Sequence, residues 1–235
     1  MTKAKPGTKE QVLPDTIPLF PLPEHVLFPG VPMPYHIFEP RYQAMIRELK
    51  SLDPADRWIA VSRLRAVRVD SGAGRPGFCE IATVGRVMDM LPVGGGRFDI
   101  VVEGIYRCRL EEVHSPHAYR LVKPIILEDA DAEFCAKQGT KLPRFFKPIE
   151  QALITLVTLV GEQASQLLTI ASSNASASII LYRLGAALLH DPDRRQRFLE
   201  TRSIRERGHI MVDTLAGLLA VANRHTAYVG DGEKC

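Results

Sequence analysis

From Ile17 to Tyr42 the chain alternates short apolar runs with prolines: IPLFPLPEHVLFPGVPMPYHIFEPRY. Pro18, Pro21, Pro23, Pro29, Pro32, Pro34 and Pro40 each remove an N–H donor and fix φ, so no helix crosses this stretch. Residues before proline are pushed extended. Leu19, Phe20, Val26, Leu27, Phe28, Val31, Met33, Tyr35 and Ile37 are therefore predicted to bury themselves from extended pieces and tight turns. Pro40 suits the first position of a helix. Tyr42, Met45, Ile46 and Leu49 follow at i, i+3, i+4 and i+7, one face of that helix. The pattern reads as a sheet core with a covering helix.

Further on, Trp58–Leu64 and Phe78–Val84 are rich in strand formers. One strand is predicted over Ile81–Leu91, a glycine turn over Pro92–Gly96, and a return strand over Arg97–Glu103 with Phe98, Ile100 and Val102 on one face. Gly104 is expected to break that strand, with Ile105–Leu110 pairing back and Tyr119–Leu127 adding another. Short strands with no helices between them predict an antiparallel barrel or sandwich. From Glu128 to Arg144 no period holds, which marks a boundary. Pro148 opens a helix with Ile149, Ala152, Leu153, Leu156, Val157 and Val160 as its stripe. Ser172–Ser178 reads as a turn with candidate N-caps, before a helix carrying Leu181, Leu184 and Leu188. Asp191-Pro192 restarts the chain as cap and first residue of a helix with Phe198 and Leu199. Ser203 and Glu206 have capping-box spacing, and Ile204, Met211, Leu215, Leu218 and Ala222 line the last helix. The expected division is a tail over 1–14, a β-rich domain over 15–127, a linker over 128–147, a helical bundle over 148–225 and a tail over 226–235. The fold class is α+β.

Several of these segments carry a resemblance. PLFPL, LFPG and the HIFEPRY run with its helix come first. Val84-Gly85-Arg86-Val87, Gly96-Arg97-Phe98 and Glu103-Gly104-Ile105-Tyr106-Arg107-Cys108-Arg109 follow, then Leu184–Leu189 and Arg194–Glu200. In this order, over about Ile17 to Ala222, they resemble the N-terminal, substrate-binding domain of the Lon protease family. The resemblance implies a β-rich domain followed by a helical bundle, used to engage polypeptides. Full Lon proteases add an ATPase and a Ser-Lys peptidase module. The sequence has no G-x-x-x-x-G-K-[ST] to cradle phosphates, and no lysine between Pro148 and Gly232 to serve a serine nucleophile. The expectation is a stand-alone, non-enzymatic binding module for unfolded or extended segments, connected with protein quality control and without cofactor. Two routes are open, strand addition at a sheet edge or burial of side chains in a groove between the sheet and helical parts. Phe145 and Phe146, at the domain junction, are the candidate groove residues. Glu39-Pro40-Arg41-Tyr42 is read as structural. An adaptor that docks on a separate protease or ATPase, and a hydrolase with a site among His25, His36 or His114, are the alternatives.

Composition changes this picture little. Of 235 residues, 46% are hydrophobic and 24% charged, with a formal net charge of +3, an ordinary globular balance that gives no argument for nucleic acid. Cys79, Cys108, Cys135 and Cys235 show no C-x-x-C spacing, so no zinc or redox pair is expected; Cys79 and Cys108 read as small core residues. Gly72, Gly74 and Gly77 have G-x-G-x-x-G spacing, but Pro76 interrupts it and a strand follows, so it reads as a loop. His114 and His117 could offer two metal nitrogens, with Cys108, Glu111 or Glu112 nearby, but a Pro-containing loop does not hold three or four ligands rigidly, so they read as a loop pair. Arg194, Arg195, Arg197, Arg202, Arg205 and Arg207 are interleaved with acids and read as a paired helix surface. The polar N-terminus is not a signal peptide and no apolar run reaches membrane length, so a cytoplasmic protein is expected.

Overall fold

The proline-punctuated stretch folds into two strands and a helix: β1 (Ile17–Leu22), β2 (Pro32–Ile37) and α1 (Pro40–Lys50). The computed structural model describes residues 13–65, 76–133 and 146–231. Tyr42, Met45, Ile46 and Leu49 are all buried, as their spacing requires, each contributing about 1.5–3 kcal/mol over the exposed state. Pro40 sets the entry to α1. Glu39 makes no capping bond and pairs with Arg41 instead, at 2.7 Å.

Four more strands follow: β3 (Trp58–Arg63), β4 (Ile81–Pro92), β5 (Phe98–Val113) and β6 (Arg120–Ile126). Their order is β2-β5-β4-β3-β1-β6, and β6 also pairs with β5. Five strands thus close on one another, while β2 lies outside the ring against the first half of β5. The expected all-antiparallel barrel or sandwich is corrected in one respect. β1 and β3 are parallel, with Leu19 opposite Ala60 and Leu22 opposite Arg63. A parallel pair needs a long crossover, and the connection through β2 and α1 supplies it. The sheet is mixed and not a clean barrel.

Gly104 does not end a strand, contrary to expectation; β5 runs unbroken through it. The register against β4 shifts here, with Val84 opposite Tyr106 but Gly85 opposite Gly104, leaving Ile105 as the extra residue of a bulge. The glycine is needed because another backbone crosses it. A Cβ on Gly104 would lie 2.3 Å from the Phe28 carbonyl oxygen. Gly30 N–H donates to Gly104 O at 2.7 Å, and Gly104 N–H to Val31 O at 3.1 Å.

This crossing delivers Val26 and Phe28 into the core of the helices. These are α2 (Lys147–Val160), α3 (Ser165–Ala171), α4 (Ala177–Leu188), α5 (Pro192–Glu200) and α6 (Ile204–Asp231). Phe28 stacks on Tyr182 at 5.6 Å and meets Phe198 edge-on at 5.8 Å. Three expected caps are present: Ser176 accepts from Ile179 N–H, Asp191 from Arg194 N–H and Ser203 from Glu206 N–H. Val160, expected on the inner stripe of α2, is 40% exposed, because the helix turns out at Gly161 (φ 73°) just after it.

The expected linker begins with two anchored aspartates. Asp129 receives both Arg107 (3.0 Å) and Arg207 (2.6 Å). Arg107 also donates to the carbonyls of Thr201 and Glu128, so it closes the end of α5 onto the sheet. Asp131 accepts from Ser203 Oγ and from the N–H groups of Ile204 and Arg205 at the start of α6. Burial opposes its ionised form, but these hydrogen bonds outweigh burial and hold the carboxyl below its usual range. Arg207, read as part of a solvated arginine surface, is fully buried over the Tyr182 ring at 4.4 Å.

Candidate functional site

The three strands β2, β5 and β4 form an arm with two unlike faces. On the inner face Met33, Tyr35, Ile37, Phe98, Ile100, Val102, Val87 and Met90 pack with the buried side of α1. The outer face alternates with these and is not covered by a described element. Three cross-strand rows make it up: Pro32–Glu103–Arg86, Pro34–Val101–Asp89 and His36–Asp99–Leu91. A shift between Val87 and Asp89 leaves Met88 as an extra residue, and it is 52% exposed. Leu91 is 58% and Phe38 63% exposed. Phe38 stacks on His36 at 6.2 Å, and His36 Nδ1 meets Asp99 Oδ1 at 2.6 Å. Leu91 and His36 stand two strand spacings apart, about 10 Å. The result is an open ledge of mixed character, with exposed Phe38 at one side, Met88 and Leu91 at the other, and Glu103, Arg86, Asp89, His36 and Asp99 among Pro32, Pro34 and Val101 between them.

The β2 edge of this ledge is poorly suited to accepting a strand. Outward positions along β2 fall on Pro32, Pro34 and His36, and the two prolines have no N–H to offer. Strand addition would therefore find one donor, from His36, along this edge.

The residues singled out from sequence are dispersed. Phe146 is fully buried in the helical core and does not line an open groove; Phe145 lies outside the described residues. A cleft of about 460 Å³ does exist between the sheet and α5, lined by Arg63, Leu64, Arg65, Cys79, Asp193, Gln196, Arg197 and Glu200. Arg63 is paired there with Asp193 and Arg65 with Glu80. His25 bonds the Tyr35 hydroxyl at 2.8 Å, and burial, with the Arg195 guanidinium adding to it, lowers its pKa to about 4. His117 faces Glu48 at 3.4 Å, while His114 is exposed. The ring partners of these histidines are a phenol and carboxylates, not a serine or cysteine nucleophile. Among the described residues no group of three or more His, Cys, Asp or Glu could hold a metal. Cys108 is a core residue whose thiol burial pushes up to about 12; Cys79 is partly buried, and Cys135 and Cys235 lie outside the described residues. Of the three spaced glycines only Gly77 is described. No helix among the described residues is long and apolar enough to cross a membrane.

The Glu39-Pro40-Arg41-Tyr42 motif turns the chain from the ledge into α1. Tyr42 is core, edge-on to Phe20 at 4.8 Å, and Arg41 lies over its ring at 4.5 Å. Sequence reasoning missed the ledge because Met88, Leu91 and Phe38 read as ordinary strand residues. Only their parity against Val87, Met90 and Ile37 could have marked them as outward, and the bulge at Met88 upsets that parity.

The comparisons with known proteins agree with this architecture. The family model for the substrate-binding domain of ATP-dependent protease La (LON) matches residues 16–217. The N-terminal domain of a Mycobacterium avium complex Lon protease superposes with a TM-score of 0.62 at 16% identity, covering 86% of this chain and 98% of that one. A Lon N-terminal domain protein from Xanthomonas campestris gives 0.57 at 19% identity, covering 84% and 97%. Lon protease of Parabacteroides distasonis is 24% identical over 205 residues, 83% of this chain and 23% of the relative. The chain thus spans about a quarter of that relative's length. With the family model matched across most of its residues, the chain belongs to the LON substrate-binding domain family.

Proposed function

We propose that the domain captures unfolded or extended polypeptide segments by laying their apolar side chains on the outer ledge of β2, β5 and β4. The observation that carries this is the presence of three exposed large apolar side chains, Phe38, Met88 and Leu91, around a sheet face left uncovered by described elements in a substrate-binding family. Alternate side chains of an extended segment stand about 7 Å apart, close to the spacing between rows on the ledge. Of the two routes set out from sequence, the proline-blunted β2 edge offers an added strand few donors, and the cleft between the sheet and α5 is framed by paired charged side chains, so the ledge is the favoured surface. No bond is made or broken in this role. A single copy binds weakly, since it lacks the avidity of linked copies. Titration of a fluorescently labelled, permanently unfolded model protein tests the reading. Micromolar binding that is lost in the Phe38→Ser, Met88→Ser, Leu91→Ser triple variant supports it; unchanged binding by that variant would move the site elsewhere.

A further inference from the structure

The β4 edge of the ledge is open where β3 ends. Strand β3 pairs with β4 as far as Trp58 opposite Arg86, and Val87 N–H still donates to Arg57 O at 2.9 Å. From Met88 to Pro92, β4 has β5 on one side and no described strand on the other. The pairing decides which backbone groups face that open side. Val93 N–H donates to Arg97 O at the hairpin end. Two and four residues back, Leu91 and Asp89 therefore turn their groups toward β5, while Met90 and Pro92 turn theirs away. Pro92 has no N–H to offer. Beyond the bulge at Met88, Met90 N–H is thus the one ladder donor on the open edge, and Asp89 Oδ1 accepts it at 2.8 Å. The run Val87-Met88-Asp89-Met90-Leu91 is apolar apart from Asp89, and an exposed apolar edge strand invites pairing with another chain. The single charge in the run is the group that occupies the edge donor. An incoming strand would have to displace this carboxylate and then set a carbonyl oxygen beside it.

We propose that Asp89 closes the β4 edge to strand addition, so that the ledge takes an extended segment by its side chains alone. The prolines of β2 thin out the donors at the opposite edge; Asp89 acts by occupying one. The part about the segment rests on the capture reading, whereas the closing of Met90 N–H does not. A segment held by side chains stays free to shift and leave. One zipped onto β4 through its main chain would be held by successive ladder bonds and would present a new edge to the next chain. Met88 and Leu91 can therefore stay exposed for binding without making β4 a template.

Two measurements on the full chain and its Asp89→Ala variant test the proposal; Asp89 is exposed, so the variant should melt with the wild type. In the first, hydrogen exchange of the Met90 amide is followed by NMR without any ligand. Exchange should quicken about fivefold in Asp89→Ala, as loss of one hydrogen bond of ordinary net strength implies. An unchanged rate overturns the proposal, whatever the ledge binds. In the second, an apolar heptapeptide is compared with the same peptide N-methylated at two adjacent central residues, so that each of its edges loses a donor while its side chains are kept. The wild type should bind the two equally, and Asp89→Ala should prefer the unmethylated peptide about fivefold. Weaker binding of the methylated peptide by the wild type would show an edge already open. Equal binding of the two by the variant would show that something other than Asp89 closes it. Either result overturns the proposal. Binding of neither peptide by either protein, with the exchange difference present, would refute the capture reading and support the closing of the edge by Asp89.

Discussion

Arg207 meets Asp129 at 2.6 Å with its own side chain wholly buried. Arg107, itself 4% exposed, shares the same carboxylate at 3.0 Å. One aspartate thus serves as the shared counter-charge of a cation from the sheet and a cation from α6, and its loss leaves both buried guanidiniums without it. Asp129→Ala should destabilise the fold by about 3–5 kcal/mol, the cost of breaking a buried pair on one side. Arg207→Met keeps the Arg107 pair and replaces the stem with apolar volume, so it should cost clearly less. Urea unfolding of the two variants measures the difference; equal losses would mean that Arg107 does not share the carboxylate.

The crossing of Phe28 over Gly104 gives a second prediction. A Cβ on Gly104 meets backbone, at 2.3 Å from Phe28 O and 2.9 Å from its carbonyl carbon. Backbone cannot step aside as a long side chain can. Gly104→Ala should therefore cost about 1–3 kcal/mol through overpacking, and should loosen the seating of Phe28 against Tyr182 and Phe198. Near-ultraviolet circular dichroism together with the unfolding midpoint reads both effects. A variant as stable as wild type would show that the 28–31 segment is free to move.

On the ledge the expectation is the reverse. Phe38 and Leu91 are mostly exposed and lie outside the buried clusters, so their apolar surface contributes little to folding. Phe38→Ser and Leu91→Ser should each leave stability within about 0.5 kcal/mol while lowering affinity for an unfolded polypeptide severalfold. Thermal melting beside the binding titration separates the two. A melting temperature that drops with affinity would assign these residues to the core.

Local rules made part of this legible from sequence. The stripe of α1, the inward face of Phe98, Ile100 and Val102, and the caps at Ser176, Asp191 and Ser203 each depend on neighbours a few residues away, where periodicity and side-chain reach decide. The parallel pairing of β1 with β3 does not, since it depends on where the chain returns after α1. Gly104 was misread for the same reason: its need for a missing Cβ comes from Phe28, 76 positions earlier in the chain. Arg107 and Arg207 were hidden because a charge reads as surface unless its partner is known, and Asp129 lies far from both in sequence. Phe146 could be placed at the junction but not in the core, because burial at a junction depends on helices still to come.

The pairing of His25 with Tyr35 gives the protein a dependence on pH. Burial, and secondarily the Arg195 guanidinium, lower the His25 pKa from the usual 6.5 to about 4. The folded state therefore holds the ring neutral, accepting or donating one hydrogen bond with the Tyr35 hydroxyl. Between pH 6.5 and 4 the unfolded chain binds a proton here that the folded chain refuses, so stability must rise with pH across that window. The contribution is complete above about 6.5, fades as pH falls, and is gone below about 4. Its upper bound is about 3 kcal/mol, reduced because solvent reaches one side of the ring. His25→Gln keeps a polar partner for Tyr35 but cannot titrate, so the loss of stability from pH 7 to 5 should be shallower than in wild type. Urea midpoints at pH 7, 6 and 5 measure it. Parallel profiles for the two proteins would mean that the ring takes up its proton in place, and that the contact with Tyr35 yields to solvent without opening the fold.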